Sequence, residues 1–374
     1  MTTQNETNAD TPDQRPFDDD EKPTSTLPAA GLIVHERNER HLLTRVVHAV
    51  LKPWKPRLMK PKHIPGDATK LKATKRTLKI CDVVESQVEG VWTYNLQRKP
   101  PAQPEKPADD THHRRIIYFG GGGWQMPPTE HHWAFCAELT RRLPSTRVTI
   151  VSCPLAPKSP VSVAFPQIER VYKELLTEAT KRGEKVIVAG DSSGGNIALC
   201  LVTWTLRFQE HETSKPPVAV LAISPTVDLR HQLEAVEHAD KLDPIHTHES
   251  IRQTARAWCP GAVDRQLADG ESPSRSLSGV CDSGWSFEDP RVSPVQADLS
   301  YLVRHGVSVH GLTGSYDVLA PEAVVFRNKC QEQGATGQWL SWDGQMHCFP
   351  LTFRYGLKES KEAMDWIVGV LEQH

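Results

Sequence analysis

Lys185-Val186-Ile187-Val188-Ala189-Gly190-Asp191-Ser192-Ser193-Gly194-Gly195-Asn196 is the stretch on which the fold turns. The apolar, mostly β-branched residues after Lys185 read as a short buried strand. The next stretch, Ile197-Ala198-Leu199-Cys200-Leu201-Val202-Thr203-Trp204, reads as a buried helix. Between them lies a Gly-flanked turn with Ser192 at its tip. So sharp a turn strains the backbone of Ser192, and the residues two before and two after it must be small. Gly190 and Gly194 meet that need. The helix behind Ser192 aims its free N–H groups and the positive end of its dipole at the turn. Strand, G-x-S-x-G and helix in this order predict a nucleophile elbow rather than a Ser/Gly turn without chemistry.

Outward from the elbow, strands and helices alternate. Strands are predicted at 78–84 and 88–96, an antiparallel hairpin, and at 115–119, 148–152, 186–189, 218–223, 307–313 and 338–342. Helices are predicted near 129–143, 166–182, 193–209, 298–305, 321–333 and 359–372. This rhythm implies a central, mostly parallel eight-stranded sheet with helices on both faces. Residues 230–290 break it, being polar and rich in His and Ser, with one helical piece near 248–258. At the other end, residues 1–28 are too polar to order themselves and read as a disordered tail. Leu43, Val46, Val47, Val50 and Leu51 fall at helical spacing, so residues 36–51 form an amphipathic helix ended by Pro53. The basic stretch beyond it includes Lys52, Lys55, Arg57, Lys60 and Lys62. Such a segment suits a membrane surface, but with so short an apolar face the expectation is a helix packed on the enzyme body.

Composition narrows the class. A net charge of −2 gives no global field for nucleic acid. The eight cysteines form no C-x-x-C and no metal-ligand rhythm. His246 and His248 have no third ligand at obvious spacing, so no metal is expected. No stretch is apolar enough to cross a membrane and no signal peptide opens the chain, so a cytoplasmic protein with reduced thiols is expected.

A serine hydroxyl needs a base, and the base needs an orienting acid. Strand 307–313 runs into Gly314-Ser315-Tyr316-Asp317, and strand 338–342 into Asp343-Gly344-Gln345-Met346-His347. Asp317 and His347 thus stand at the carboxyl ends of two strands, in the order serine, acid, histidine. Asp343, Asp228 and Asp289 are weaker candidates for the acid. Tyr118-Phe119-Gly120-Gly121-Gly122-Gly123-Trp124 leaves another strand, and its glycines let N–H groups face a substrate oxygen. Gly121 and Gly122, with Ser193, are the predicted oxyanion donors. A phosphate cradle is the rival reading, but G-K-[ST] is missing. Trp124 and Phe349 are predicted to line an apolar substrate pocket.

These motifs together resemble the hormone-sensitive lipase-like family of α/β-hydrolases. Gly120–Gly123 is similar to H-G-G-G, Pro154-Leu155-Ala156-Pro157 to R-L-A-P, and Gly190–Asn196 to G-D-S-A-G-G-N. Ser224–Leu229 is similar to S-P-W-x-D-L, Asp289–Pro294 to D-P-R-x-S-P, and His347-Cys348-Phe349 to H-G-F. The resemblance spans roughly residues 75–374. It departs at Gly120, where the family has His, at Pro154, where it has Arg, and at Cys348, where it has Gly. It implies an α/β-hydrolase fold with core segments 76–229 and 289–374. A split helical cap would come from 29–75 and 230–288. It also implies a cofactor-free serine carboxylesterase acting on a short-chain or acetyl ester of a small molecule, such as a secondary metabolite. Acyl transfer, cyclisation or condensation on the same scaffold is the alternative, and a non-catalytic receptor the more remote one. The expected partner is the small-molecule ester, with no nucleic acid and no stable membrane insertion; a homodimer is left open.

Overall fold

The computed structural model describes residues 31–55, 68–100, 113–260 and 284–374. Among them nine strands form one sheet. They are β1 (Leu32–Arg37), β2 (Cys81–Val88), β3 (Val91–Arg98), β4 (Arg114–Phe119), β5 (Thr146–Val151), β6 (Lys185–Asp191), β7 (Ala219–Ile223), β8 (Ser308–Gly314) and β9 (Gly337–Trp342). Their order across the sheet is β1-β9-β8-β7-β6-β4-β5-β3-β2. Only β3 opposes the rest, antiparallel to both β2 and β5. The helices are α1 (Leu42–Leu51), α2 (Thr77–Ile80), α3 (Glu130–Arg142), α4 (Val161–Arg182), α5 (Ser193–Thr205), α6 (Glu234–Leu242), α7 (His248–Trp258), α8 (Ser300–Arg304), α9 (Ala320–Glu332) and α10 (Lys358–Glu372).

Alternation along each strand divides the core into two layers. Ile117, Phe119, Val186 and Val188 face one layer, shared with α4 and α5. Ile116, Tyr118, Ile187 and Ala189 face the other, shared with α3 and α10. Because both faces are covered, the central strands are apolar throughout rather than alternating. Parallel register then aligns the strand ends. Phe119 pairs with Gly190, Asp191 with Ile223, Ile223 with Leu312, and Gly314 with Trp342. The loops after β4, β6, β7, β8 and β9 therefore leave the same edge of the sheet, where open α/β sheets bind ligands.

Three expectations need correction. The sheet has nine strands, not eight, because Leu32–Arg37 pairs in parallel with β9 inside the segment assigned to the cap. Its strand signal is weak because it is an edge strand, half exposed and closing in charged residues. A second helix, α6, precedes the expected one in the 230–288 insertion. The third correction concerns α1, which starts at Leu42 rather than at residue 36 and packs by its other face. Thr44 and His48 are buried, and Thr44 Oγ1 donates to Glu359 Oε2 at 2.6 Å. Leu42, Leu43, Val46 and Val50 are 49–74% exposed. Polar anchoring to the buried Glu359, which also accepts from His41 N–H at 2.7 Å, orients this helix, not its apolar stripe. The 1–28 tail, and the parts of the two cap segments at 56–67 and 261–283, lie outside the described residues.

Candidate active site

Ser192 sits between β6 and α5 with φ 53° and ψ −122°, a conformation that an L-residue adopts only under strain. Its flanking glycines are required by contact. A Cβ on Gly190 would stand 2.3 Å from the Gly194 carbonyl oxygen, and one on Gly194 would stand 2.0 Å from that of Phe119. Ser192 N–H donates to Ile223 O at 2.9 Å, which pins the turn to β7.

Asp317 and His347 meet as expected. His347 Nδ1 lies 2.8 Å from Asp317 Oδ2, and Leu319 N–H donates to Asp317 Oδ1 at 2.9 Å. Burial alone would raise the Asp317 carboxyl, but the charge and hydrogen bond of His347 bring it below its ordinary value. Burial alone would lower the imidazole, but the charge of Asp317 raises it well above the ordinary histidine value. The competing acids are engaged elsewhere: Asp228 with Arg230, Asp289 with Arg291, and Asp343 with Ser315. His347 Nε2 is 3.4 Å from Cys348 Sγ, and the Ser192 hydroxyl makes no hydrogen bond among the described residues. Cys348 stands where the family motif has Gly, and its φ of 50° is one that favours glycine.

The oxyanion loop differs from the expectation. Gly121 N–H is not free, because it donates to Asp191 Oδ1 at 3.0 Å. The next two glycines, Gly122 and Gly123, line the pocket beside Ser192. Among the described residues their N–H groups make no hydrogen bond. Ser193 N–H has no intrahelical partner at the first position of α5. Ser193 Oγ accepts from Trp124 N–H at 3.2 Å and so holds the loop to the elbow.

His132 of α3 stands beside the position where the family histidine is missing. Its Nδ1 accepts from Thr129 N–H at 2.8 Å and its Nε2 lies 3.2 Å from Asp191 Oδ2. Tyr118 Oη donates to Asp191 Oδ1 at 2.6 Å. Burial raises the Asp191 carboxyl, but His132, Tyr118 and Gly121 N–H together hold it below its ordinary value. Asp191 therefore ties the oxyanion loop, α3 and the elbow together. No sequence spacing links His132 to Gly120, so only the fold reveals it.

The pocket at Ser192 is narrow, about 30 Å³, and is walled by the oxyanion loop, Met126, Thr226, His231, His246 and α7. A larger cavity of about 460 Å³ lies at the ends of β1, β8 and β9 against α9, and none of its lining residues belongs to the triad. Ser192 decides for the smaller one. Trp124 lines it and stacks on Trp258 of α7 at 5.5 Å and 10°. Phe349 does not. It is buried in the core against Trp342, at 5.8 Å, because the short 3₁₀-helix Phe349–Tyr355 turns it away from the pocket. His246 and His248 part company: His246 lines the pocket, and His248 Nε2 bonds the His231 carbonyl at 2.9 Å. Among the described residues no helix is long and apolar enough to cross a membrane.

A mostly parallel sheet with a strained serine at one strand end, and a hydrogen-bonded Asp–His pair beyond two other strand ends on the same edge, defines the α/β-hydrolase class. The chain belongs to the α/β hydrolase fold family, whose model matches residues 116–351. It is similar to an esterase of Acinetobacter venetianus, 28% identical over 62% of this chain and 66% of that one. It is also similar to esterase LipU of Mycobacterium tuberculosis, 26% identical over 57% of this chain and 62% of that one. The chain thus spans less than two thirds of the length of these relatives. Among solved structures, an esterase of the bacterial hormone-sensitive lipase family superposes with a TM-score of 0.65 at 18% identity, covering 90% of this chain and 99% of that one. An esterase/lipase from an uncultured bacterium gives 0.64 at 19%, covering 89% and 99%. At that identity the likeness is one of fold.

Proposed function

We propose that the protein is a serine carboxylesterase that hydrolyses short-chain esters through an acyl-enzyme on Ser192. His347 takes the serine proton and later activates water, while Asp317 holds the ring and its tautomer. Gly122, Gly123 and Ser193 donate to the developing oxyanion, and the Asp191 brace keeps that loop in place. The observation that carries the reading is the strained Ser192 at the sheet edge that also bears the 2.8 Å Asp317–His347 pair. The narrow pocket, walled closely by Trp124, Met126, Ile251 and Leu319, favours a small acyl group. No step calls on a cofactor. The relatives named esterase support the same reading.

Replacing Ser192 with Ala should abolish turnover of 4-nitrophenyl acetate and labelling by a fluorophosphonate, with the circular-dichroism spectrum unchanged. Retained turnover would remove Ser192 from the mechanism, and an unlabelled wild-type protein would turn the reading toward a non-catalytic receptor.

A further inference from the structure

The pocket above Ser192 holds more imidazole than a triad uses. His231 follows β7 with a φ of 49°. Its Nδ1 lies 2.9 Å from Glu322 Oε2 of α9, and both side chains are only 1% exposed. His246 lies between α6 and α7, its N–H donating to Asp243 Oδ1 at 2.9 Å. Its ring stands edge-on to that of His347, 4.6 Å away at 89°. Both rings line the same pocket as Ser192. In each, Nε2 is buried and has no hydrogen-bond partner among the described residues.

A buried polar atom left without a partner is destabilising, so two in the lining of one pocket call for an explanation. The proton relay supplies none, since the ring hydrogen-bonded to Asp317 is that of His347. The Glu322 contact accounts for Nδ1 of His231 but not for its Nε2, and at His246 an apolar side chain would fill the same space without an unpartnered nitrogen. Burial and then the charge of His347 pull His246 down to about 3, so its ring is neutral at ordinary pH. A neutral imidazole presents at Nε2 either an N–H or a lone pair, depending on tautomer. A hydroxyl satisfies both, because it donates and accepts.

We infer that His231 and His246 bind a hydroxyl group of the substrate, so that the pocket takes esters hydroxylated close to the scissile carbonyl rather than plain alkyl esters. The inference rests on the hydrolase reading above. The hydroxyl belongs either to the acyl group or to the alcohol, and matched isosteres separate the two. The pocket's lining also includes Gln125 and Thr226, while the Ser250 and Thr254 hydroxyls donate to the Thr247 and Ile251 carbonyls. Its apolar lining comes from Trp124, Met126, Ile251 and Leu319 rather than from Phe349.

The test uses the full chain and two ester pairs. In the acyl arm, 4-nitrophenyl hydroxyacetate is compared with 4-nitrophenyl propionate. In the alcohol arm, 2-hydroxyethyl acetate is compared with propyl acetate. Each kcat/KM is divided by the hydroxide-catalysed rate of the same ester, which removes intrinsic reactivity. The hydroxylated member should be preferred by about tenfold or more in one arm, since a site built to bond a hydroxyl rejects the analogue without it. His246→Leu and His231→Leu should each erode that ratio, and His246→Gln, which keeps a polar group, should retain more of it than His246→Leu. The ratio is internal to each variant and so does not depend on the fraction folded. Hydrolysis without preference in either arm overturns the inference, as does a preference undiminished in both Leu variants. Hydrolysis of none of the four esters overturns the hydrolase reading itself, and this inference with it.

Discussion

At Gly120, where the family motif has a histidine, the imidazole of His132 from α3 lies alongside and bonds Asp191. A Cβ on Gly120 would lie 3.0 Å from Pro128 Cγ and 3.4 Å from His132 Cδ2, so the space for a histidine there is already filled. Gly120→His should therefore destabilise the protein although it restores the motif. His132→Ala in the same chain should recover part of that loss, a negative coupling measurable by urea denaturation of the two single variants and the double variant. Additive effects would show that the two residues do not share the space. Cys348 is a second local departure. Its thiol faces both His347 Nε2 and Asp191 Oδ2, at 3.4 and 3.7 Å, and burial pushes it up to about 12. It is thus a neutral thiol beside the base and not a thiolate competing for the substrate.

At the scale of elements, α1 shows how a polar contact overrides an apolar pattern. The stripe Leu43, Val46, Val50 has helical period, and the period was legible; the direction in which it faces was not. Thr44 and His41 N–H satisfy both oxygens of a buried carboxylate on α10, and that choice turns the stripe outward. Thr44→Ala should cost about 1–3 kcal/mol, because Glu359 keeps its burial and loses a donor. Val46→Ser should change stability by no more than about 0.5 kcal/mol, since its side chain already faces water. Chemical denaturation of the two variants checks the order; a larger loss at Val46 would mean that the stripe is covered. The edge strand β1 escaped the sequence for a related reason. Only one side of it is paired, so its residues need not carry the full apolar run that identifies β6 or β7.

For the molecule as a whole, the site is a meeting of loops, and so is its response to pH. Asp243, between α6 and α7, is fully buried and accepts N–H bonds from Ile245, His246 and Val318, the last adjoining Asp317. Burial, and then the charge of Asp317, pushes its carboxyl up to about 6. Its folded value exceeds the unfolded one of about 3.9, so the folded state holds this proton more tightly. Stability from this group falls as pH rises through that window. Asp191 and Asp317 are depressed instead, and their contribution is present above the unfolded value and lost as pH falls. Asp243→Asn removes the first effect and, by taking a charge away from Asp317, deepens the second. Relative to wild type, this variant should gain on the order of 2–3 kcal/mol between about pH 4 and pH 7, read from thermal unfolding midpoints. A difference independent of pH would show that Asp243 does not titrate in that range.

The elbow, the alternation of strands and helices, and the places of Asp317 and His347 at strand ends were all readable from the chain. Each rests on a local rule: the period of apolar residues, the demand of a tight turn for glycine, or the order of motifs along a parallel sheet. The proposed oxyanion donors shift one residue along from the expected Gly121–Gly122, to Gly122–Gly123, because Asp191 takes the Gly121 N–H. Phe349 left the pocket, and His132, His231 and His246 entered the account. None of these follows from neighbours in sequence. Hydrogen bonds to a buried carboxylate, and the burial that leaves an imidazole nitrogen unpartnered, exist only once β4, β6, β7 and the segments around α3 and α7 are brought to one edge of the sheet. Local chemistry selects the fold and the strained serine at its edge; contacts between distant segments select what surrounds that serine.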